Sequence, residues 1–205
     1  KRTSNQIKEE IEGVGGMFNA FTSEEATCYW IKILDEYLEK TFDVLSDMIE
    51  NPALKKEDIE KERAVILEEI KMYKDIPAKY VHEIFDYMLF EGHHLGRPIA
   101  GTEETVKKIT KEDMEKYMNE LYGSSNIVIS VAGNFSENKI RDLSEKYFKL
   151  RNGREITFPK WQGNERGPKV KVLKKDTEQT HIVIGGLGYS REDKRKYPLS
   201  VLNTI

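Results

Sequence analysis

The chain has 205 residues, 38% of them hydrophobic, which is enough for one or two domains with a real core. A formal net charge of -3 leaves no footprint for bulk nucleic-acid or anionic-membrane binding. The sole cysteine, Cys28, excludes an internal disulfide and a cysteine-based zinc cluster, and no apolar run approaches the length of a membrane span.

In chain order, residues 3–12 predict a capped helix closed by Gly13, Gly15 and Gly16. Residues 17–22 and 26–33 predict two strands joined through residues 23–25. From Asp35 or Glu36 a helix runs to Asn51, ahead of Pro52, with Leu38, Phe42, Leu45, Met48 and Ile49 on one face. Residues 56–74 have helical periodicity without Gly or Pro, and a further helix follows Pro77 to about Phe90. Residues 91–102 form a loop with three glycines and a proline. Thr110 caps a helix over 111–121 with Glu112 and Asp113 in its first turn, where the helix dipole favours acids. Residues 126–132 predict a buried-type strand, and Ser136 caps a helix over 137–148.

The composition then changes. Residues 151–175 carry eight Lys/Arg against two Glu, with Pro159, Gly163, Gly167 and Pro168 among them. This predicts a linker laid along an acidic surface, with a first domain over 1–150, a linker over 151–169 and the start of a second domain over 170–205. In that second part, residues 169–175 and 181–187 read as strands, and a helix starts from Asp193. The alternation of strands and helices predicts an α+β class with a largely antiparallel sheet packed against helices. The chain starts without Met and stops inside an apolar-periodic run, so an internal piece of a longer protein, truncated at both ends, is expected.

One pattern calls for chemistry. At ~100° per residue, Ile59, Ile66, Ile70 and Tyr73 form a stripe, with Val65 and Met72 on the same half of the helix. Glu62 and Glu69 fall between the two groups, so both carboxylates are expected to face buried territory. They are two turns apart, about 10 Å along the axis. A carboxylate in an apolar arc is costly unless it snorkels to the edge, meets an arginine or binds a metal. The helix alone leaves those three outcomes open.

Three blocks carry a resemblance. They are GVGGMFNAFTSEEATCY over 13–29, IEKERAVILEE over 59–69, and HLGRPIAGT over 94–102, with IVISVAGN at 127–134 beyond them. Their order and spacing resemble the pitrilysin/insulinase family of zinc peptidases, M16, and its smaller bacterial members similar to mitochondrial processing peptidase. The resemblance implies the LuxS/MPP-like metallohydrolase fold and a zinc metalloendopeptidase that hydrolyses extended peptides. In such proteins one zinc ion is held by an inverted His-x-x-Glu-His motif and a distant glutamate. By resemblance Glu69 is that glutamate and Glu62 an acidic residue supporting the site. The strand residues Asn19, Ala20, Phe21 and Thr22 are then expected to pair with the backbone of an extended peptide, Phe21 as a core or pocket wall, and Arg97 to contact the loop or a substrate. A homodimer or a partner half-domain completes the expected assembly, with no nucleic acid or membrane partner and a bacterial cytoplasm as the default location.

The sequence departs from the family at one point. It contains no His-x-x-Glu-His, and its histidines are His82, His93, His94 and His181. On family spacing the motif, with the main catalytic base, lies ahead of Lys1, so this segment alone is expected to be inactive and to leave zinc unbound. The His93–His94 pair reads as a cap or surface pair, His82 as a core or edge residue, and Cys28 and Trp30 as packing. Two rival readings are a non-catalytic M16-like subunit that binds peptides or serves structurally, and an unrelated helical interaction module whose glutamates meet Arg63 or Arg97.

Overall fold

The computed structural model describes residues 2–159, 161 and 169–205. Residues 160 and 162–168 of the expected linker lie outside the described residues. The chain divides into two compact units, one of Lys1–Ile66 with Glu103–Lys160 and one of Leu67–Thr102 with Trp161–Ile205.

In the first unit, helix α1 (Ser4–Ile11) opens on a capping box in which Thr3 accepts from the Gln6 N–H and Gln6 answers the Thr3 N–H. Strands β1 (Met17–Thr22) and β2 (Thr27–Lys32) form an antiparallel hairpin with Asn19 opposite Trp30 and Phe21 opposite Cys28. The turn is closed by the Ser23 N–H donating to the Ala26 carbonyl at 2.8 Å. Helix α2 (Leu38–Glu50) buries Phe42 and Val44, and the Phe42 ring meets Phe148 edge-on at 6.2 Å. The core of this unit is Ile11, Phe42, Val44, Val106 and Leu143, each less than a tenth exposed. Helix α3 (Lys56–Lys74) begins in this unit and follows the dipole rule, with Glu57 and Asp58 in its first turn and Lys71 and Lys74 in its last.

The second unit contains α4 (Pro77–Leu89), whose proline sits in the first turn, where its missing N–H costs nothing. Here Lys169 pairs with Glu91 at 2.7 Å and Lys175 with Asp75 at 2.9 Å. Back in the first unit lie α5 (Glu103–Lys108), α6 (Lys111–Leu121) and α7 (Glu137–Tyr147). Helix α8 (Lys196–Leu202) closes the second.

The cap of α6 supports a quantitative expectation. Thr110 accepts from the Asp113 N–H at 3.2 Å, while the Asp113 carboxylate accepts from the Thr110 N–H and hydroxyl, each at 2.9 Å. The Thr110 N–H, then its hydroxyl, hold the Asp113 carboxyl below the usual carboxylate range. Thr110→Ala is expected to cost about 1 kcal/mol in urea unfolding. Because the Asp113 value is lowered on folding, its stabilisation is present above about pH 4 and is lost as pH falls through the folded value. Asp113→Asn is expected to flatten that acid limb of the stability profile.

Three expected strands are not formed. Among the described residues the one sheet has two strands, β1 and β2, and residues 126–132, 169–175 and 181–187 have no ladder. Val128, Val170 and Ile184 are each at least 87% exposed. Their apolar runs signal a need for cover, but a strand exists only where a second backbone supplies partners for its N–H and C=O groups. The α+β class holds, with a small antiparallel sheet in place of the large one expected.

Candidate functional site

Helix α3 turns its covered stripe to Ile59, Arg63, Ile66 and Ile70, with Ile70 only 6% exposed. Glu62 and Glu69 lie beside that stripe, and both are exposed. This corrects the expectation of inward carboxylates. Val65, Met72 and Tyr73, expected to be core-like, are 48%, 59% and 40% exposed. The apolar half of the helix is wider than the surface that covers it, so the two glutamates sit in an uncovered arc of mixed apolar and acidic residues. Neither carboxylate has an ion-pair partner among the described residues, whereas the neighbouring Glu60 is paired with Arg63 at 3.2 Å and Glu68 with Lys71 at 2.7 Å.

The arginines proposed to meet those glutamates do not. Arg63 donates to the main-chain carbonyls of Val106 and Ile109, the latter at 2.7 Å, besides its pair with Glu60. Arg97 is exposed, and no ion pair of its side chain occurs among the described residues. Sequence reasoning missed the Arg63 contacts. The signal was present, since Arg63 lies on the helical wheel beside Ile59 and Ile70, inside the covered stripe.

Strand β1 presents Asn19, Ala20, Phe21 and Thr22 to solvent, and Phe21 is 57% exposed rather than a core wall. With only β2 beside it among the described residues, β1 keeps one edge without a partner strand. The Ala20 N–H donates to the Asn19 side chain at 2.8 Å. The hydroxyl of Tyr29, on β2, meets that of Tyr122 at 3.0 Å, and burial together with that contact pushes the Tyr122 phenol well above its ordinary value.

In the second unit the glycine loop is built by close approach. A side chain at Gly96 would put its Cβ 2.7 Å from the Phe90 carbonyl oxygen. His93 caps the short turn His94–Gly96, accepting from the Leu95 N–H at 3.2 Å. His82 is exposed, not a core residue. Cys28 and Trp30 are half-buried, as packing residues of a hairpin would be.

Residues 1–103 match the family described as Insulinase (Peptidase family M16), and residues 108–205 match the Peptidase M16 inactive domain. The chain belongs to the M16 peptidase family. It is 38% identical over its full length to YmxG of Bacillus subtilis (strain 168), described as an uncharacterized zinc protease, and covers 49% of that protein. A Streptomyces coelicolor protein described in the same words is 35% identical over the whole chain, which covers 46% of it. The chain thus spans about half the length of these relatives. Among solved structures, a protease from Helicobacter pylori aligns with 78% of this chain and 39% of its own at a TM-score of 0.72 and 23% identity. A peptidase M16 inactive domain from Pseudomonas fluorescens aligns with 76% of this chain and 39% of its own at a TM-score of 0.71 and 16% identity. These two likenesses establish the fold. Family membership sets aside the unrelated helical module.

Zinc needs at least three protein ligands. Among the described residues no three His, Cys, Asp or Glu side chains come together as a metal-binding group. The described residues therefore do not fit a zinc ion by themselves, and Glu69 can be no more than one ligand of a larger set. No helix among the described residues is long and apolar enough to cross a membrane.

Proposed function

We propose that the full-length protein is a zinc-dependent metalloendopeptidase that hydrolyses peptide bonds in extended peptides. The observation that carries this reading is the pair of exposed carboxylates of Glu62 and Glu69, without ion-pair partners among the described residues and two turns apart on one helix of an M16 chain. An isolated carboxylate beside apolar Val65 and Met72 is suited to a cation brought by other residues, and a glutamate already neutralised by an arginine is not. In this reading Glu69 supplies one ligand to a single zinc ion and Glu62 supports the site. The remaining ligands and the main base are not among the residues of this chain, and this segment alone is inactive and leaves zinc unbound.

The free edge of β1 supports the substrate class. An extended peptide adding to that edge pairs through main-chain groups and is selected little by sequence, with Asn19, Ala20, Phe21 and Thr22 exposed alongside it. Arg97, exposed in the glycine loop, is free to meet a carboxylate of substrate or loop. The same reading keeps a first domain over 1–150, a linker over 151–169 and the start of a second domain over 170–205, with a homodimer or partner half-domain completing the protein.

The test is hydrolysis of a fluorogenic peptide by the full-length protein with and without a zinc chelator. Cleavage that stops on chelation and returns with added zinc is expected. A protein that binds the peptide and leaves it intact is instead a non-catalytic subunit.

A further inference from the structure

The corner between α5 and α6 leaves two main-chain carbonyls outside any helical ladder. Val106 lies in the last turn of α5, where a carbonyl has no intrahelical partner, and the Thr110 N–H beyond it is turned to the Asp113 carboxylate. Ile109 lies between the end of α5 and the Thr110 N-cap, so its carbonyl belongs to no helical ladder, and the nearby Asp113 N–H is given to the Thr110 hydroxyl. Arg63 fills both vacancies, one guanidinium nitrogen donating to Val106 O and the other to Ile109 O at 2.7 Å. Its Nε is held at 3.2 Å by Glu60, one turn back on the same helix, and the side chain is only 15% exposed. Thus a planar fork, steadied on its own helix, grips a corner made by two others.

We infer that Arg63 is a positioning residue that fixes the roll of α3, and with it the direction in which the adjacent Glu62 is presented. This rests on the peptidase reading above. Arg63 sits inside the covered stripe and Glu62 lies one residue away, ~100° around the helix. Two bonds to main-chain carbonyls set that angle, because main chain cannot swing aside as a side chain can. Functional groups need their supporting shell to hold them within roughly 10–20°. Lysine keeps the charge of Arg63 but is a point donor without a fork, so it cannot hold both carbonyls in one plane. Glu60, by contrast, only steadies the fork.

The test uses the full-length protein with Arg63→Lys, Arg63→Ala and Glu60→Gln, assayed with a fluorogenic peptide and followed by amide exchange at residues 105–113. Arg63→Lys is expected to lower kcat by about tenfold to a hundredfold, the range for removing an outer supporting contact, with KM unchanged. Exchange at the α5–α6 corner is expected to quicken in the same variant, and Glu60→Gln to stay within about twofold of the parent in kcat. If Arg63→Ala fails to fold, Arg63→Lys carries the test. Faster exchange at the corner with parental kcat would make Arg63 merely structural and overturn the inference. An unsubstituted protein with no chelator-sensitive cleavage would instead overturn the peptidase reading, and this inference with it.

Discussion

Gly123→Ala is expected to destabilise the protein by about 3 kcal/mol, at the upper end of what overpacking costs. A Cβ at Gly123 would lie 2.3 Å from the Gly153 Cα and 2.5 Å from its nitrogen, and one at Gly153 would lie 2.7 Å from the Gly123 Cα. Both obstacles are main chain, so no rotamer change relieves them. The two glycines are needed for room, not for an unusual backbone angle. The surrounding bonds show why the crossing is held. The Ser124 N–H donates to the Arg151 carbonyl at 2.9 Å and the Ser125 hydroxyl to the Gly153 carbonyl at 2.9 Å. The Asn126 amide then donates to the Leu121 and Arg154 carbonyls at 3.0 and 2.7 Å and accepts from the Ile156 N–H at 3.0 Å. Alanine at position 123 must push the two segments of this clasp apart and strain those bonds together. Gly13→Ala is the control, since a Cβ there meets nothing within 4 Å, and it is expected to change stability by less than about 0.5 kcal/mol. Urea unfolding of the two variants followed by circular dichroism makes the comparison. Equal midpoints would show that the crossing yields at little cost.

The helices were largely legible in the sequence because their signals are local. The caps at Thr3, Thr110 and Ser136 all form as the Ser/Thr positions imply, and the β1–β2 hairpin closes through the expected residues. Helix α5 was not foreseen, for a helix of six residues is too short to show a period. The strands at 126–132, 169–175 and 181–187 were read from apolar runs, and those runs report a need for burial without naming the partner that satisfies it.

The site divides in the same way. Periodicity located Glu62 and Glu69 on one side of α3, but their environment depends on what lies over that side, which the helix does not encode. The helical-module reading expects Arg63 or Arg97 to neutralise the glutamates. The Arg63 guanidinium instead serves carbonyls 43 and 46 residues further along the chain. The capping box at Thr110 takes up the N–H groups nearest those carbonyls, and its relation to a distant arginine appears only once the backbone is folded.

Glu69→Gln in the full-length protein is expected to have the largest functional effect. The substitution keeps size and helix propensity and removes the negative charge, so α3 is expected to retain its place while the carboxylate oxygen proposed as an anionic ligand is lost. Supporting contacts around metals typically contribute tenfold to a hundredfold in affinity, and loss of a direct ligand is expected to exceed about a hundredfold. Glu62→Gln, one step removed, is expected to stay inside the supporting-contact range in activity and to keep the metal. Both residues are exposed, so both variants are expected to keep the parental fold, and matched melting temperatures would verify this.

Zinc content of purified full-length protein, determined side by side for the parent, Glu69→Gln and Glu62→Gln, therefore probes the proposed role of this helix most directly. The expected outcome is one zinc per chain in the parent and in Glu62→Gln, and essentially none in Glu69→Gln. Undiminished zinc in Glu69→Gln would contradict the assignment of that carboxylate to the metal.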